Sequence, residues 1–296
     1  MIVCTLIGGL GNQMFQYAYA EELSRKLNDD ICFDLNFYNG KKPSLFTLNI
    51  NNRNTVSHMQ LTDFSAAQRE EKIYHAFQYV IRKLNHEKIG RGMFQMYSKR
   101  GYYFNFDPFY YPSVECKKDN KYIYGYFQGI EYFEESQQSI RKQFVAEIGE
   151  RAQAYGRKIQ SCEAVAIHIR MGDYQEKRNQ YMNVCTDNYY DIGIKYISRK
   201  IGNAQFFVFT NDEISVRKKS YIPKNAVIIN GTKDYEDLML MKMCKHFIIS
   251  GSTFSWWGSF LSGNDSKITV APQMWMTTLR EEPAIMKRGD IIRIEV

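Results

Sequence analysis

The sequence predicts an α/β protein of two Rossmann-like domains that face each other across a cleft. Short apolar runs alternate with amphipathic helical segments, which is typical of parallel β-sheet proteins. With 296 residues, the chain is long enough for two medium-sized domains. A polar stretch near residues 150–160 separates a less regular first half from a regular second half. We therefore assign residues 1–155 to a first domain and residues 156–296 to a second.

The first domain opens as a strand, a glycine turn, a helix and a second strand. An apolar run at 2–7 precedes the glycine turn at 8–13, and a second short strand follows at 32–35. Between them, apolar residues recur every four positions and predict a helix: Phe15, Tyr19, Leu23 and Leu27. Further helices are predicted around 73–84 and over 131–148, whereas the aromatic segment between them is interpreted as turn-rich.

The second domain shows five short strands that alternate with helical segments. The strands are predicted at 164–169, 206–209, 226–229, 246–249 and 268–270. The helices are predicted around 190–201, with Thr186 or Asp187 as N-cap, and at 235–243 and 254–261. This alternation predicts a doubly wound parallel sheet, in which ligands bind beyond the carboxyl ends of the strands.

Composition narrows the class of protein. The hydrophobic fraction of 44% and the charged fraction of 24% are ordinary for a globular protein and exclude disordered, collagen-like and coiled-coil chains. The net charge of +7 favours an anionic partner. No apolar run approaches the roughly 20 residues of a membrane span, and the N-terminus lacks the basic region of a signal peptide. Six cysteines without metal-binding or paired spacing predict reduced thiols in a cytoplasmic protein.

Candidate binding residues lie at the ends of four of the predicted strands. They are Gly9, Gly11, Asn12 and Gln13 after the first strand, then His168 near the end of the strand at 164–169 with Arg170 and Asp173 after it, then Asn211 and Asp212, and finally Ser252, Thr253 and Phe254. Arg170 leaves a buried strand, where its planar guanidinium can hold two phosphate oxygens. Asp173 either orients this arginine or acts on a substrate hydroxyl. The glycine turn and the serine-rich loop each open a helix, and helix N-termini bind anions.

Two common nucleotide motifs are incomplete. The first loop supplies G-x-G, but Met14 occupies the third glycine position of the dinucleotide fingerprint, and no Gly-Lys-Ser/Thr of a P-loop follows. The sequence also lacks the Asp-x-Asp arrangement that would carry a divalent ion, and Asp234-Tyr235-Glu236 is interpreted as the acidic first turn of a helix. These residues predict a diphosphate-bearing ligand bound without a metal.

Four segments resemble the signature segments of glycosyltransferase family 11, a family of α-1,2-fucosyltransferases. They are residues 8–16, 168–174, 209–212 and 252–257. The resemblance implies a GT-B-like fold and an inverting, metal-independent transfer without a further cofactor. L-Fucose would pass from GDP-fucose to the 2-hydroxyl of a terminal β-galactoside, on an oligosaccharide or a lipid-linked glycan.

The resemblance also assigns roles to residues. Arg170 would hold the diphosphate, and Asp173 is the candidate general base. His168 and the other strand-end residues named above would contribute to donor binding. Where the family's second motif carries a second arginine, this chain has Met171. Because three of the four polar strand ends follow residue 160, the second domain is expected to bind the donor and the first the acceptor.

The sequence also leaves several other functional interpretations open. A different nucleotide-sugar transferase of GT-B type would use the same loops, and a nucleotide-dependent oxidoreductase would need the missing third glycine. A glycan-binding module is supported only by the aromatic fraction of 15%. The basic stretch 82–101 is interpreted as a solvated face, or as a site of weak attraction to an anionic membrane, and no nucleic-acid partner is expected.

Overall fold

Two separate parallel β-sheets organise the chain, each in its own unit. A computed structural model describes residues 1–56, 64–81, 87–114, 116–171, 177–279 and 281–295. The first unit comprises Met1–Phe144 with Pro283–Lys287, and the second comprises Val145–Glu282 with Arg288–Val296. The predicted base Asp173 and the beginning of the basic stretch, 82–86, lie outside the described residues.

The first unit contains a four-stranded parallel sheet in the order β2-β1-β4-β3. Its strands are β1 (Ile2–Thr5), β2 (Ile31–Asp34), β3 (Tyr102–Asn105) and β4 (Lys121–Gly125). Its helices are α1 (Leu10–Leu27), α2 (Phe64–Ile81), α3 (Glu87–Ser98) and α4 (Gln137–Gln143). The predicted strand, glycine turn, helix and strand at the start of the chain are confirmed.

Aromatic side chains fill much of the core of the first unit. Tyr19 stacks on Phe127 with ring centroids 4.5 Å apart and meets Tyr132 edge-on at 5.0 Å. On another part of the core, Tyr74 of α2 lies 5.6 Å from Phe104 of β3. These rings are buried, so they contribute packing to the core, where aromatic pairs favour edge-on and offset geometries.

The second unit contains a six-stranded parallel sheet in the order β10-β9-β8-β5-β6-β7. Its strands are β5 (Glu163–Ile169), β6 (Ala204–Thr210), β7 (Val227–Ile228), β8 (His246–Ile248), β9 (Thr269–Pro272) and β10 (Ile291–Ile294). Its helices are α5 (Glu150–Gln160), α6 (Asp187–Lys200), α7 (Glu213–Arg217), α8 (Asp234–Met243) and α9 (Thr253–Leu261). The predicted doubly wound sheet is confirmed, and Thr186 caps α6 as expected by accepting the Tyr189 N–H at 3.2 Å.

The two units divide at Phe144, earlier than the predicted boundary at 155. The polar segment that suggested a boundary is helix α5, which belongs to the second unit because it packs on α8 and β5. Glu236 of α8 holds the start of α5 by accepting the Gly149 N–H at 2.8 Å. Arg151 of α5 donates to the Asn230 carbonyl at 2.8 Å.

The predicted continuous helix over 131–148 is wrong. A short 3-10 helix covers Ile130–Phe133, and α4 begins only at Gln137. Phe144 ends α4 with φ −82° and ψ 67°, and its buried ring packs on that of Tyr17 with the ring centroids 5.9 Å apart. The chain then crosses to the second unit.

All six cysteines carry free thiols, three of them buried. Burial raises the pKa of the Cys4 and Cys244 thiols, and it raises that of Cys185 to about 12. These groups therefore stay protonated and unreactive near neutral pH. Within the described ranges, no helix combines the length and the apolar character that crossing a bilayer requires.

Candidate active site

The strand order brings the predicted residues of the second unit to one edge of its sheet. Strand β5 pairs with β6 on one side and with β8 on the other, so the ends of these three strands lie side by side. The chain adds strands to one side of β5 and then to the other, which makes the β5–β8 boundary the topological switch point. Open parallel sheets bind their ligands at this point.

His168, the last but one residue of β5, ties β5 to the loop after β8. Its Nδ1 lies 2.7 Å from the Ser250 hydroxyl, and its ring centroid lies 5.6 Å from that of Phe254. The Tyr190 hydroxyl of α6 donates to the His168 carbonyl at 3.1 Å. His168 is thereby fixed between two strands and a helix, and it holds the serine-rich loop against β5.

Burial lowers the pKa of His168 to about 3, and the positive charge of Arg170 acts in the same direction. The imidazole is therefore neutral near pH 7 and a poor proton acceptor. Its role in the site is to hold the loop after β8 through the hydrogen bond with Ser250.

Arg170 follows β5 directly and is half-buried at the sheet edge. It lies near enough to His168 for its charge to depress the pKa of that imidazole. A guanidinium at this edge of the sheet offers a planar fork of donors that suits a phosphate bound nearby.

Asn211 locks the backbone next to Arg170. Its side-chain Oδ1 accepts the Met171 N–H at 2.9 Å, and its Nδ2 donates to the Met171 carbonyl at 3.0 Å. This pair of hydrogen bonds continues the β5–β6 pairing one residue past the end of the strands. Asn211 thus acts on the arginine through the peptide that follows it.

Asp212 caps the short helix α7. One carboxylate oxygen accepts the Ser215 N–H at 3.0 Å and the other accepts the Ser215 hydroxyl at 2.6 Å. These hydrogen bonds lower the pKa of Asp212, which is therefore ionised near neutral pH. Its predicted contact with the donor stays a prediction.

Ser252 stands at the N-cap of α9 but makes no capping hydrogen bond through its side chain. Thr186 and Asp212 do make such bonds at the starts of α6 and α7. Thr253 and Phe254 form the first turn of α9 and are half-buried beside Ser252. The start of α9 therefore directs helix N–H groups and a positive dipole end toward the same edge as Arg170.

The first loop of the other unit joins β1 to α1. Gly8 has φ +74°, and a Cβ there would lie 2.8 Å from Asn12 Nδ2, so only glycine fits. Gly9 has φ −80° and open space where a Cβ would project, so neither the backbone conformation nor the packing at this position requires glycine. Gly11 lies in the first turn of α1. A glycine that the fold does not require often allows a ligand phosphate to approach the protein backbone closely.

The polar side chains of this loop are held from several directions. Asn12 Oδ1 accepts from Gln128 Nε2 at 3.1 Å. The buried Gln13 amide donates to the Gly8 carbonyl at 2.9 Å and accepts the Leu45 N–H at 2.7 Å. Tyr38 also donates to the Gly8 carbonyl, at 2.7 Å. Gln13 therefore shapes the loop, whereas its predicted contact with the donor stays a prediction.

The supporting contacts of three residues were not predicted from the sequence. The Ser250 hydroxyl lies within hydrogen-bond distance of His168 Nδ1, and the Met171 N–H donates to the Asn211 side chain. The Tyr190 hydroxyl donates to the His168 carbonyl near the end of β5. Ser250 had a usable signal, because it is the first polar residue after β8 in a loop already singled out. In the part of the chain that the structure describes, no three His, Cys, Asp or Glu side chains are grouped closely enough to hold a metal ion.

The structure is similar to solved fucosyltransferase structures. A crystal structure of fucosyltransferase NodZ from Bradyrhizobium matches with a TM-score of 0.54 and 10% identity, over 88% of this chain and 92% of that one. NodZ α-1,6-fucosyltransferase co-crystallised with GDP matches over the same shares, at 10% identity and a TM-score of 0.53. This likeness shows the fold, and it confirms the predicted α/β, GT-B-like class.

Sequence comparison identifies the family. Residues 1–295 match the profile described as Glycosyl transferase family 11. An α-1,2-colitosyltransferase of Escherichia coli is 31% identical over 95% of this chain and 94% of its own length. The O-antigen biosynthesis glycosyltransferase WbnK of Escherichia coli is 28% identical over 91% of this chain and 93% of its own length. A galactoside α-(1,2)-fucosyltransferase 1 of Ateles belzebuth is 25% identical, over 45% of this chain and 36% of its own length.

Fold and sequence together define a glycosyltransferase of GT-B-like architecture. The chain belongs to glycosyl transferase family 11, as the four motif segments indicated.

Proposed function

We propose that this protein is an inverting α-1,2-fucosyltransferase. It transfers L-fucose from GDP-β-L-fucose to the 2-hydroxyl of a terminal β-galactoside, with the donor on the second unit and the acceptor on the first. The observation that carries the proposal is that Arg170 follows β5 and the start of α9 follows β8, so that both lie at the same end of these two neighbouring strands, at the β5–β8 switch point. This is a site for a diphosphate in a family with α-1,2-transferring relatives.

The chemistry follows from where charge develops. As the glycosidic bond to GDP breaks, negative charge grows on the departing diphosphate and positive charge on the sugar ring. Arg170 and the N–H groups at the start of α9 stabilise the diphosphate, and preorganised donors of this kind lower a barrier by about 3 kcal/mol each. Asn211 and His168 hold these donors in place before the reaction begins.

The acceptor hydroxyl attacks the anomeric carbon from the face opposite GDP and loses its proton. Asp173 remains the proposed general base, and it lies outside the described residues. His168 is a poor alternative because its pKa is lowered to about 3. One displacement converts the β-linked donor into an α-fucoside.

A second donor has specific support. A relative at 31% identity is an α-1,2-colitosyltransferase. Colitose lacks the 3-hydroxyl of fucose but keeps the same ring configuration elsewhere, so both sugars present the same reacting carbon. The fucose proposal is tested with purified protein, GDP-fucose or GDP-colitose, and a set of β-galactosides, with the product linkage read by NMR. We expect an α-fucosyl group on O2 of galactose, whereas transfer from GDP-colitose alone would replace the proposed donor.

Transfer should not require a divalent metal. The proposal assigns the diphosphate to Arg170 and to helix N–H groups, which supply the positive potential that a metal provides in other enzymes. We expect the rate in excess EDTA to stay within about twofold of the untreated rate, because EDTA removes none of the protein donors that are proposed to bind the diphosphate. A large loss that Mn²⁺ or Mg²⁺ restores would contradict this prediction.

We retain as a proposal that the protein is cytoplasmic and makes weak contact with an anionic membrane. Helix α3, within the basic stretch, exposes the apolar side chains of Ile89 and Met96, and Arg91 and Lys99 are exposed in the same stretch. A basic surface with apolar side chains attracts anionic lipids. Such contact would bring the enzyme to lipid-linked acceptors.

A further inference from the structure

The first unit contains a pocket that none of the donor residues line. Its volume is about 290 Å³, near the lower end of the roughly 300–1,000 Å³ of small-molecule sites. Helix α2 forms one wall with Glu71, and the sheet forms the other with Thr5 and Tyr124. Asp34, at the end of β2, and Phe37, in the short 3-10 helix Asn36–Tyr38, also line it. The pocket thus lies where parallel strands end, the usual place for a ligand.

Two carboxylates define the chemistry of this pocket. Asp34 is almost fully buried and accepts the Thr5 hydroxyl at 3.2 Å and the Asn36 N–H at 3.1 Å. Glu71 is one-third exposed, and its Oε1 lies 3.8 Å from His75 Nε2. Burial raises the pKa of Glu71, the Asp34 charge acts in the same direction, and Lys72 opposes them. The two carboxylates therefore repel each other, and hydroxyl donors placed near them would relieve that repulsion.

The pocket also has an apolar side. Phe37 is 58% exposed although it lines the pocket, so its ring is available to pack against a ligand. The pKa of Tyr124 is raised by burial and by the charges of Glu71 and Asp34, which keeps its phenol protonated as a hydrogen-bond donor. An aromatic ring, carboxylate acceptors and a phenol together match the apolar and hydroxyl-bearing parts of a sugar ring.

The charge of the pocket selects among ligands. A nucleoside diphosphate or an acidic sugar would bring negative charge toward Asp34 and Glu71, and burying like charges together is costly. A neutral polyhydroxylated ring brings only donors and acceptors. The pocket therefore disfavours anions, whereas the net charge of +7 favours anionic partners for the chain as a whole.

We propose that this pocket binds one neutral pyranose ring of the acceptor, through hydroxyl hydrogen bonds to Asp34 and Glu71 and packing against Phe37. The identification of that ring as part of an acceptor rests on the proposed function. The pocket discriminates against rings that carry a carboxylate or phosphate.

The experiment measures binding to the full chain without any donor present. The probes are methyl β-D-galactopyranoside and the matching galacturonide, which carries a carboxylate at C6, and affinities come from saturation-transfer NMR titrations. We expect the galactoside to bind at least about tenfold more tightly than the galacturonide, since one charged contact typically shifts affinity by this factor or more. Glu71→Gln should weaken galactoside binding about tenfold and narrow the preference over the galacturonide. Phe37→Ala should weaken both probes about tenfold.

Glu70→Gln is the matched control, because Glu70 is the neighbouring residue of α2, does not line the pocket and pairs with Arg100 instead. It should leave both affinities unchanged. Unaltered galactoside binding in both pocket variants, no galactoside binding by the wild-type protein, or displacement of the galactoside by GDP would each overturn the proposal. Galactoside binding that depends on Phe37 and Glu71 supports the pocket as a sugar site even if fucosyl transfer fails, and that failure counts against the proposed function.

Discussion

Replacing Arg170 with lysine should lower kcat by about 100-fold or more while the protein stays folded. The expectation rests on geometry, because both side chains carry one positive charge. A guanidinium donates two parallel hydrogen bonds to a diphosphate, whereas an ammonium acts as a point charge. Arg170 stands at the end of β5, next to a backbone that Asn211 fixes with two hydrogen bonds. Its fork of donors is therefore preorganised for the charge that appears on GDP.

The kinetic constants separate two roles for this arginine. If Arg170 bound only the ground state, lysine would raise the KM for GDP-fucose and leave kcat nearly unchanged. Stabilisation of the departing diphosphate predicts instead that kcat falls. Lysine keeps most of the apolar stem, so circular dichroism and the melting temperature should remain close to wild type.

Arg199→Lys is the control for this change. Arg199 is exposed in the last turn of α6, so the same substitution there should leave both kinetic constants unaltered. A well-folded Arg170→Lys protein with wild-type kcat would remove Arg170 from its proposed catalytic role.

The second sheet was predictable because three of its four inner strands contain a continuous apolar run. Parallel strands buried on both faces produce such runs, and β5, β6 and β8 follow this pattern. Edge strand β10 was missed because Arg293 interrupts its short apolar run. In the first unit, β3 was missed because its Tyr-Tyr-Phe run was interpreted as part of a turn-rich segment.

The residue types of the candidate site were predictable, but their partners were not. Ser250 meets His168 across 82 positions of sequence, and Asn211 meets Met171 across 40. Both contacts depend on β5 lying between β8 and β6, an order that no local pattern encodes. The pocket of the first unit has the same origin, since it joins Asp34 of the second strand to Glu71 of α2.

Asn211→Asp should lower kcat by about 100-fold, an effect comparable with that at Arg170 although Asn211 is proposed to act only through the neighbouring backbone. The substitution keeps one acceptor for the Met171 N–H, but it places a carboxylate oxygen against the Met171 carbonyl, where the amide now donates at 3.0 Å. The peptide after Arg170 must then move, and a displacement of about 1 Å in a catalytic group is enough for such a loss.

A purely structural role for Asn211 would give a different result. Its hydrogen bonds are exposed to solvent, so losing one should cost only about 1 kcal/mol of stability, and the melting temperature should change little. Asn211→Ala removes both bonds without adding charge, and it should lower kcat less than Asn211→Asp. Asn203→Asp adds the same charge at the opposite end of β6 and should leave kcat unchanged. If Asn211→Asp lowered the melting temperature but kept wild-type kcat, the Asn211–Met171 pair would support only the fold, and Arg170 would not depend on it for its orientation.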